Sequence, residues 1–285
     1  MPMPVLGCKG LVVFTDLDGT LLDARTYAPD AGVRATIKWL RARGIPVVFC
    51  SSKTWAEQSA LQDALDLADQ PCIVENGATI ASPEPCAGGR VPRVLAFGVR
   101  VGEIRKRIQR IEMRMGRRFS TYASIGPEEV SRLTGLGPEA ARRAAQREFS
   151  ETLVDELSPA QWEELEECFA VEGLQCLHGG RFRTVTGSGT DKGRAVAELA
   201  ARLGGASGAS LLTAALGDSA NDRSMLAAVH LPVLLQNGRG SWIDLDLPNL
   251  RRVCAPGPEG WTEGVMWCLE AFERRRAGTI RTLSG

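Results

Sequence analysis

The chain has 285 residues, 44% of them hydrophobic, and its 34 basic and 34 acidic residues cancel to a formal net charge of zero. That length buries a sizeable core in one large or two medium domains, and the balanced charge gives no electrostatic reason to expect nucleic acid or a membrane surface as partner. Eight scattered cysteines with no C-x-x-C pair, and only two histidines, leave no zinc pattern and point to free thiols in a reducing, cytoplasmic setting.

In chain order, Leu11 to Thr15 is a short apolar run that predicts a strand buried on both faces of a parallel sheet. Val33, Ile37 and Leu40 recur at helical spacing and stop before Gly44. Residues 45–51 read as a second strand, followed by a helix to about residue 66 and a third strand over 72–76. This alternation predicts a doubly wound α/β sheet. The Pro/Gly-rich stretch 82–92 reads as a linker. From about 93 to 185, short strands alternate with charge-rich helices, one over 137–148 and another started by Ser158, Pro159 and Gln161. After residues 186–193 the α/β pattern returns: a helix over 191–203, a strand over 210–218, a helix over 221–229 and a strand over 231–237. The expected organisation is a mostly parallel, Rossmann-like core from 1–83 and 186–285, split by an inserted α+β cap over 84–185.

In open α/β sheets, ligands sit beyond the carboxyl ends of the strands. Asp16 and Asp18 follow the first strand, Ser51 the second, and Asp218 with Asp222 a later one, while Lys192 opens the helix after the insertion. Several carboxylates at one point need a cation, and hard oxygen ligands suit Mg²⁺. A hydroxyl, a lysine and helix-start amides suit a phosphoryl group, which a nearby carboxylate can attack. Each signal alone also fits a turn or a helix cap; their shared placement at one sheet edge is what those plainer readings leave unexplained. Lysine is scarce here, five among the 34 basic residues, so Lys192 stands out as a compact point charge.

These residues resemble the motifs of the haloacid dehalogenase superfamily of phosphatases: Asp16-Leu17-Asp18-Gly19-Thr20, Ser51, Lys192, and Gly217-Asp218 with Asn221-Asp222. The resemblance implies that Asp16 is the nucleophile, that Asp18 is the general acid and base, and that Lys192 neutralises charge. It implies Mg²⁺ held by the Asp16 side chain, the Asp18 carbonyl and Asp218 with Asp222 close by, and phosphate contacts from Ser51, Gly19 and Asn221. Residues 74–78 resemble the hinge of the sugar-phosphatase branch, which brings Asn76 to the substrate. Residues 130–153, 178–182 and 189–196 resemble the mannosyl-3-phosphoglycerate phosphatases of that branch, although Ser51 stands where that group often has threonine. The implied substrate is a small phosphorylated sugar-glycerate, with Arg147, Glu148, His178 and Arg181 as candidate contacts. A solvated helix face over Arg142, Arg143 and Arg147, and a hairpin turn at 178–180, are the plainer readings. The core motifs concern only the phosphoryl group, so glucosyl-3-phosphoglycerate, sucrose phosphate or a hexose phosphate as substrate, a phosphomutase, and a non-enzymatic module binding a phosphorylated ligand remain as rivals.

Overall fold

A computed structural model describes residues 10–86, 89–178, 182–207 and 211–283. The first half of the core runs β1 (Leu11–Thr15), α1 (Ala31–Ala42), β2 (Val47–Cys50), α2 (Trp55–Ala64) and β3 (Cys72–Val74). It continues through β4 (Thr79–Cys86) and β5 (Gly89–Ala96). The next region holds α3 (Val101–Met115), α4 (Tyr122–Thr134), α5 (Pro138–Ala145), β6 (Ser150–Leu153), α6 (Pro159–Val171), β7 (Leu174–His178) and β8 (Arg183–Gly187). The chain then returns through α7 (Lys192–Ser207), β9 (Leu212–Gly217), α8 (Arg223–Ala227), β10 (Leu231–Gln236), β11 (Arg251–Pro256) and α9 (Gly257–Leu283).

The main sheet has the order β11-β10-β9-β1-β2-β3-β4-β5. The strands from β11 to β3 are parallel, and β4 and β5 close the edge antiparallel. Alternation within β1 shows why the sheet is buried on both faces. Leu11 and Val13 join a core under α1 and α9 with Ile37, Leu40 and Trp261, whereas Val12 and Phe14 join one under α7 and α8 with Val196, Leu199 and Leu226. Emptying one such position, Phe14→Ala for example, would cost about 3–5 kcal/mol.

The stretch 82–92 is a hairpin and not a linker: β4 and β5 pair from Thr79↔Ala96 to Cys86↔Gly89. Its prolines are tolerated because this is the sheet edge, where a missing N–H breaks few ladder bonds. The expected cap boundaries, 83/84 and 185/186, therefore fall inside β4 and β8. A separate three-stranded antiparallel sheet, β6-β8-β7, lies between them in sequence. Its core pairs Ile104, Ile108 and Ile111 of α3 with Trp162, Leu165 and Phe169 of α6. The capping box expected at Ser158 and Gln161 is present at the start of α6. Residues 251–283, which carry no assignment from the sequence, form the last parallel strand and a helix packed on the main sheet.

Candidate active site

Strands β9, β1 and β2 are neighbours, so the residues at their carboxyl ends meet. Asp16 leaves β1 with its amide bonded to the Leu216 carbonyl at 3.0 Å. Lys192 is the first residue of α7, whose start Asp191 caps by accepting from the Arg194 amide at 2.6 Å. Its ammonium, 1% exposed, donates to Asp16 Oδ1 at 2.8 Å and to Asp222 Oδ1 at 2.7 Å. Asp222 Oδ2 accepts from the amides of Asp218 and Ser219, both at 3.1 Å. Only glycine fits at 217, since an added Cβ would lie 2.6 Å from Asp222. Thr20 donates to Asp218 Oδ1 at 2.9 Å.

Asp16, Asp218 and Asp222 thus present carboxylate oxygens within 4.8 Å of one another, all buried. Three carboxylates face one lysine, and the surplus negative charge shows in Asp16 and Asp218. Burial pushes Asp16 well above the usual carboxylate range, Lys192 pulls it down, and Asp222 and Asp218 push it up again. Asp218 is pushed up to about 7, by burial first and then by Asp222. Burial alone would lower Lys192, but Asp16 and Asp222 outweigh it and hold the ammonium above its ordinary value. An uncompensated cluster of hard oxygen donors fits a divalent cation. Asp16 and Asp218 are the residues with oxygens left for one, because both oxygens of Asp222 are engaged by Lys192 and the loop amides.

Asp18 stands apart from that cluster, its Oδ2 bonded to the Lys53 ammonium at 2.9 Å. Burial lowers the lysine's affinity for its proton, but Asp18 and Glu57 more than restore it. Lys53 was not singled out from the sequence, although its signal was present: it is one of the same five lysines. Asp16, Asp18, Gly19, Asp218 and Asn221 line a cleft of about 480 Å³ together with Lys53, and Arg147, from the segment between α5 and β6, lines it too. Arg147 donates to the Ser52 carbonyl at 3.2 Å and to Ser150 Oγ at 2.9 Å. Ser51 sits at the end of β2 but is buried behind this wall, where its Oγ accepts from the Lys53 amide at 3.4 Å. Asn76 is also buried and meets the cleft only through Asn221, which donates to its Oδ1 at 3.5 Å.

Two expected substrate contacts lie elsewhere. The Glu148 side chain pairs with Arg100 at the surface, 2.8 Å away. His178 ends β7, bonded to Glu166 at 3.0 Å, and is not among the described residues lining the cleft. Arg181 lies outside the described residues. Glu75, in contrast, was missed by the sequence reading: its carboxylate accepts from the Glu148 amide at 2.9 Å and the Phe149 amide at 3.0 Å. Nothing local in the sequence signals partners 73 and 74 residues away.

Among the described residues no helix is long and apolar enough to cross a membrane. A family model of haloacid dehalogenase-like hydrolases matches residues 13–86 and 160–243. The chain is 33% identical over 271 residues to a glucosyl-3-phosphoglycerate/mannosyl-3-phosphoglycerate phosphatase from Persephonella marina, covering 93% of this chain and 99% of that one. A protein of the same name from Methanococcoides burtonii is 33% identical over 264 residues, covering 90% and 96%. The fold is shared with a haloacid dehalogenase-like hydrolase from Bacteroides thetaiotaomicron, at a TM-score of 0.65, 16% identity and coverage of 91% and 100%. With these matches spanning both the carboxylate cluster and most of the chain around it, the protein belongs to the haloacid dehalogenase-like hydrolases and is a phosphatase among them.

Proposed function

We propose that the protein is a Mg²⁺-dependent phosphatase that hydrolyses 2-O-mannosyl-3-phosphoglycerate to mannosylglycerate and phosphate. The observation that carries this reading is a single cleft lined by Asp16 and Asp218 of the carboxylate cluster, by Lys53 beside Asp18, and by Arg147 from the segment before β6. A substrate bearing both a phosphate and a carboxylate needs that second pair of charges. The 33% identity to relatives named for this ester agrees with it. Those names couple glucosyl- with mannosyl-3-phosphoglycerate, so the glucosyl ester is the second substrate to try. The buried free thiols Cys50, Cys72 and Cys268 fit a cytoplasmic setting.

Lys192 holds the Asp16 carboxylate in place through Oδ1, and a carboxylate oxygen of Asp16 attacks phosphorus in line. As the phosphorus–oxygen bond to the glycerate breaks, Asp18 delivers a proton to the leaving oxygen. Asp18 then takes a proton from water, whose oxygen attacks the aspartyl-phosphate, and the bond to Asp16 breaks to release phosphate. Mg²⁺, held by Asp16 and Asp218 with the Asp18 carbonyl, would neutralise the phosphoryl oxygens during both transfers. Asp222 positions Lys192 and the loop beneath it. Gly19 and Asn221 at the cleft wall form the phosphate pocket, and Ser51, buried behind it, supports the wall through the Lys53 amide.

The test is phosphate release, with and without Mg²⁺, from mannosyl-3-phosphoglycerate, glucosyl-3-phosphoglycerate, sucrose 6-phosphate and mannose 6-phosphate. Metal-dependent preference for the first is expected, with turnover abolished in Asp16→Asn. Preference for a hexose phosphate would overturn the substrate, and an active Asp16→Asn would overturn the mechanism.

A further inference from the structure

The chain contains only two tyrosines, and both line the cleft, Tyr27 from the loop after the first motif and Tyr122 from the start of α4 in the cap. Neither belongs to the phosphoryl machinery. Tyr122 is 6% exposed as a residue and lines the cleft, and no hydrogen bond joins its hydroxyl to another described residue. A tyrosine in a cleft wall pairs an apolar ring with a polar tip, and a tip that no protein group takes is open to a ligand. Tyr27 is the opposite case: 43% exposed, an aromatic ring left in water. It is held there by a built loop. Asp23 Oδ1 accepts from the amides of Arg25 and Thr26 at 3.0 and 2.8 Å, the Tyr27 amide donates back to the Asp23 carbonyl at 2.9 Å, and Tyr27 itself adopts a left-handed φ of +53°. Left-handed backbone is costly for a bulky side chain, so the loop spends conformational energy to display this ring.

Each tyrosine also has a cation by its ring. The Lys53 ammonium lies 5.5 Å from the Tyr27 centroid, and the Arg147 guanidinium 5.7 Å from that of Tyr122. The core wall and the cap wall therefore carry the same pair, one aromatic ring and one positive charge. A ligand matched to both walls has acidic groups for the cations and a ring with an apolar C–H face and hydroxylated rim for the tyrosines. An acid-bearing pyranoside has both.

We propose that Tyr27 and Tyr122 form the sugar subsite, with the pyranose ring lying against Tyr27 and one of its hydroxyls bonded to the Tyr122 hydroxyl. This rests on the reading of the substrate as a glycosylated phosphoglycerate. It assigns discrimination to the two tyrosines, leaving Lys53 and Arg147 to bind charge common to glycosylated and unglycosylated substrates.

The experiment compares kcat/KM for mannosyl-3-phosphoglycerate with that for 3-phosphoglycerate, which carries the same acids without the sugar, in wild type, Tyr27→Ala and Tyr122→Phe. The glycosylated-to-unglycosylated ratio should fall about tenfold in Tyr27→Ala and about fivefold in Tyr122→Phe, mostly through KM. Tyr122→Phe keeps the ring that packs with Val130, Ala141 and Ala144, and Tyr27 is too exposed to support the core, so thermal melts should match wild type. A wild-type preference that survives both substitutions, or equal losses on the two substrates, overturns the subsite while leaving the substrate reading standing. A wild type with no preference for the glycosylated ester overturns both.

Discussion

At the scale of single residues, the site is governed by a charge imbalance that protons or a cation must correct. Asp218, raised to about 7 by burial and by Asp222, is the measurable reporter. An acid whose folded pKa is raised adds stability that is complete below its ordinary value of 3.8 and lost as pH rises through about 7. In chelator, the protein should therefore become more stable as pH falls from about 8 to about 6, opposite to the behaviour of an ion-paired carboxylate. Asp218→Asn should flatten that slope, and saturating Mg²⁺ should flatten it in wild type by replacing the proton. Thermal melts across pH check this; equal slopes in wild type and Asp218→Asn would refute it. Most residues of this cluster were legible because each stands at a strand end or helix start with chemistry the local structure does not need. Lys53 was legible by the same scarcity of lysine that marked Lys192. Glu148 misled because its neighbours Arg147 and Phe149 turn inward while its own side chain turns out to Arg100. That depends on which face of the segment the core presents, and periodicity over three residues does not report it.

At the scale of elements, hinge and helix meet more closely than any motif implies. Glu75, Asn76 and Gly77 all have positive φ, of +51°, +61° and +90°. At Gly77 a Cβ would lie 2.2 Å from the Asp191 carbonyl, one residue before Lys192. Gly77→Ala combines a disfavoured backbone with a clash against backbone that cannot yield cheaply. It should cost about 3 kcal/mol and lower kcat by displacing the start of α7. Urea unfolding and steady-state kinetics check both halves; a variant as stable and active as wild type would show that α7 is free to move. The same region shows where pattern reading fails. Residues 82–92 carry every mark of a linker in proline and glycine, yet Pro83 stands directly opposite Pro92 in the β4–β5 ladder. Proline argues against a central strand, not against an edge hairpin, and only the sheet order shows that this is an edge. The parallel strands β1 and β2 were legible because burial on both faces leaves near-continuous apolar runs.

At the scale of the whole molecule, the main-sheet region and the α3–β8 region, which we propose as the inserted cap, are joined by polar contacts that converge on the segment entering β6. Thr54 donates to the Arg143 carbonyl at 2.9 Å, Arg147 to the Ser52 carbonyl at 3.2 Å, and Glu75 accepts from two consecutive cap amides and the Ser150 hydroxyl. Glu75 is the centre of this set because a carboxylate offers acceptors only and meets three donors only, so both of its oxygens are engaged. Glu75 is 2% exposed, so removing one of these bonds while the regions stay in contact leaves a buried polar group without its partner, which costs about 1–3 kcal/mol. Glu75→Gln preserves the shape but turns one acceptor into a donor that faces a donor. The cap should then dock less firmly. Amide exchange at Glu148 and Phe149 should rise at least about tenfold, corresponding to about 1.4 kcal/mol or more of lost protection. KM should rise with it, because Arg147 and Tyr122 reach the cleft from this segment and from the helix packed on it. Exchange that stays at the wild-type rate would show that the apolar contacts of the cap, not Glu75, hold it over the site.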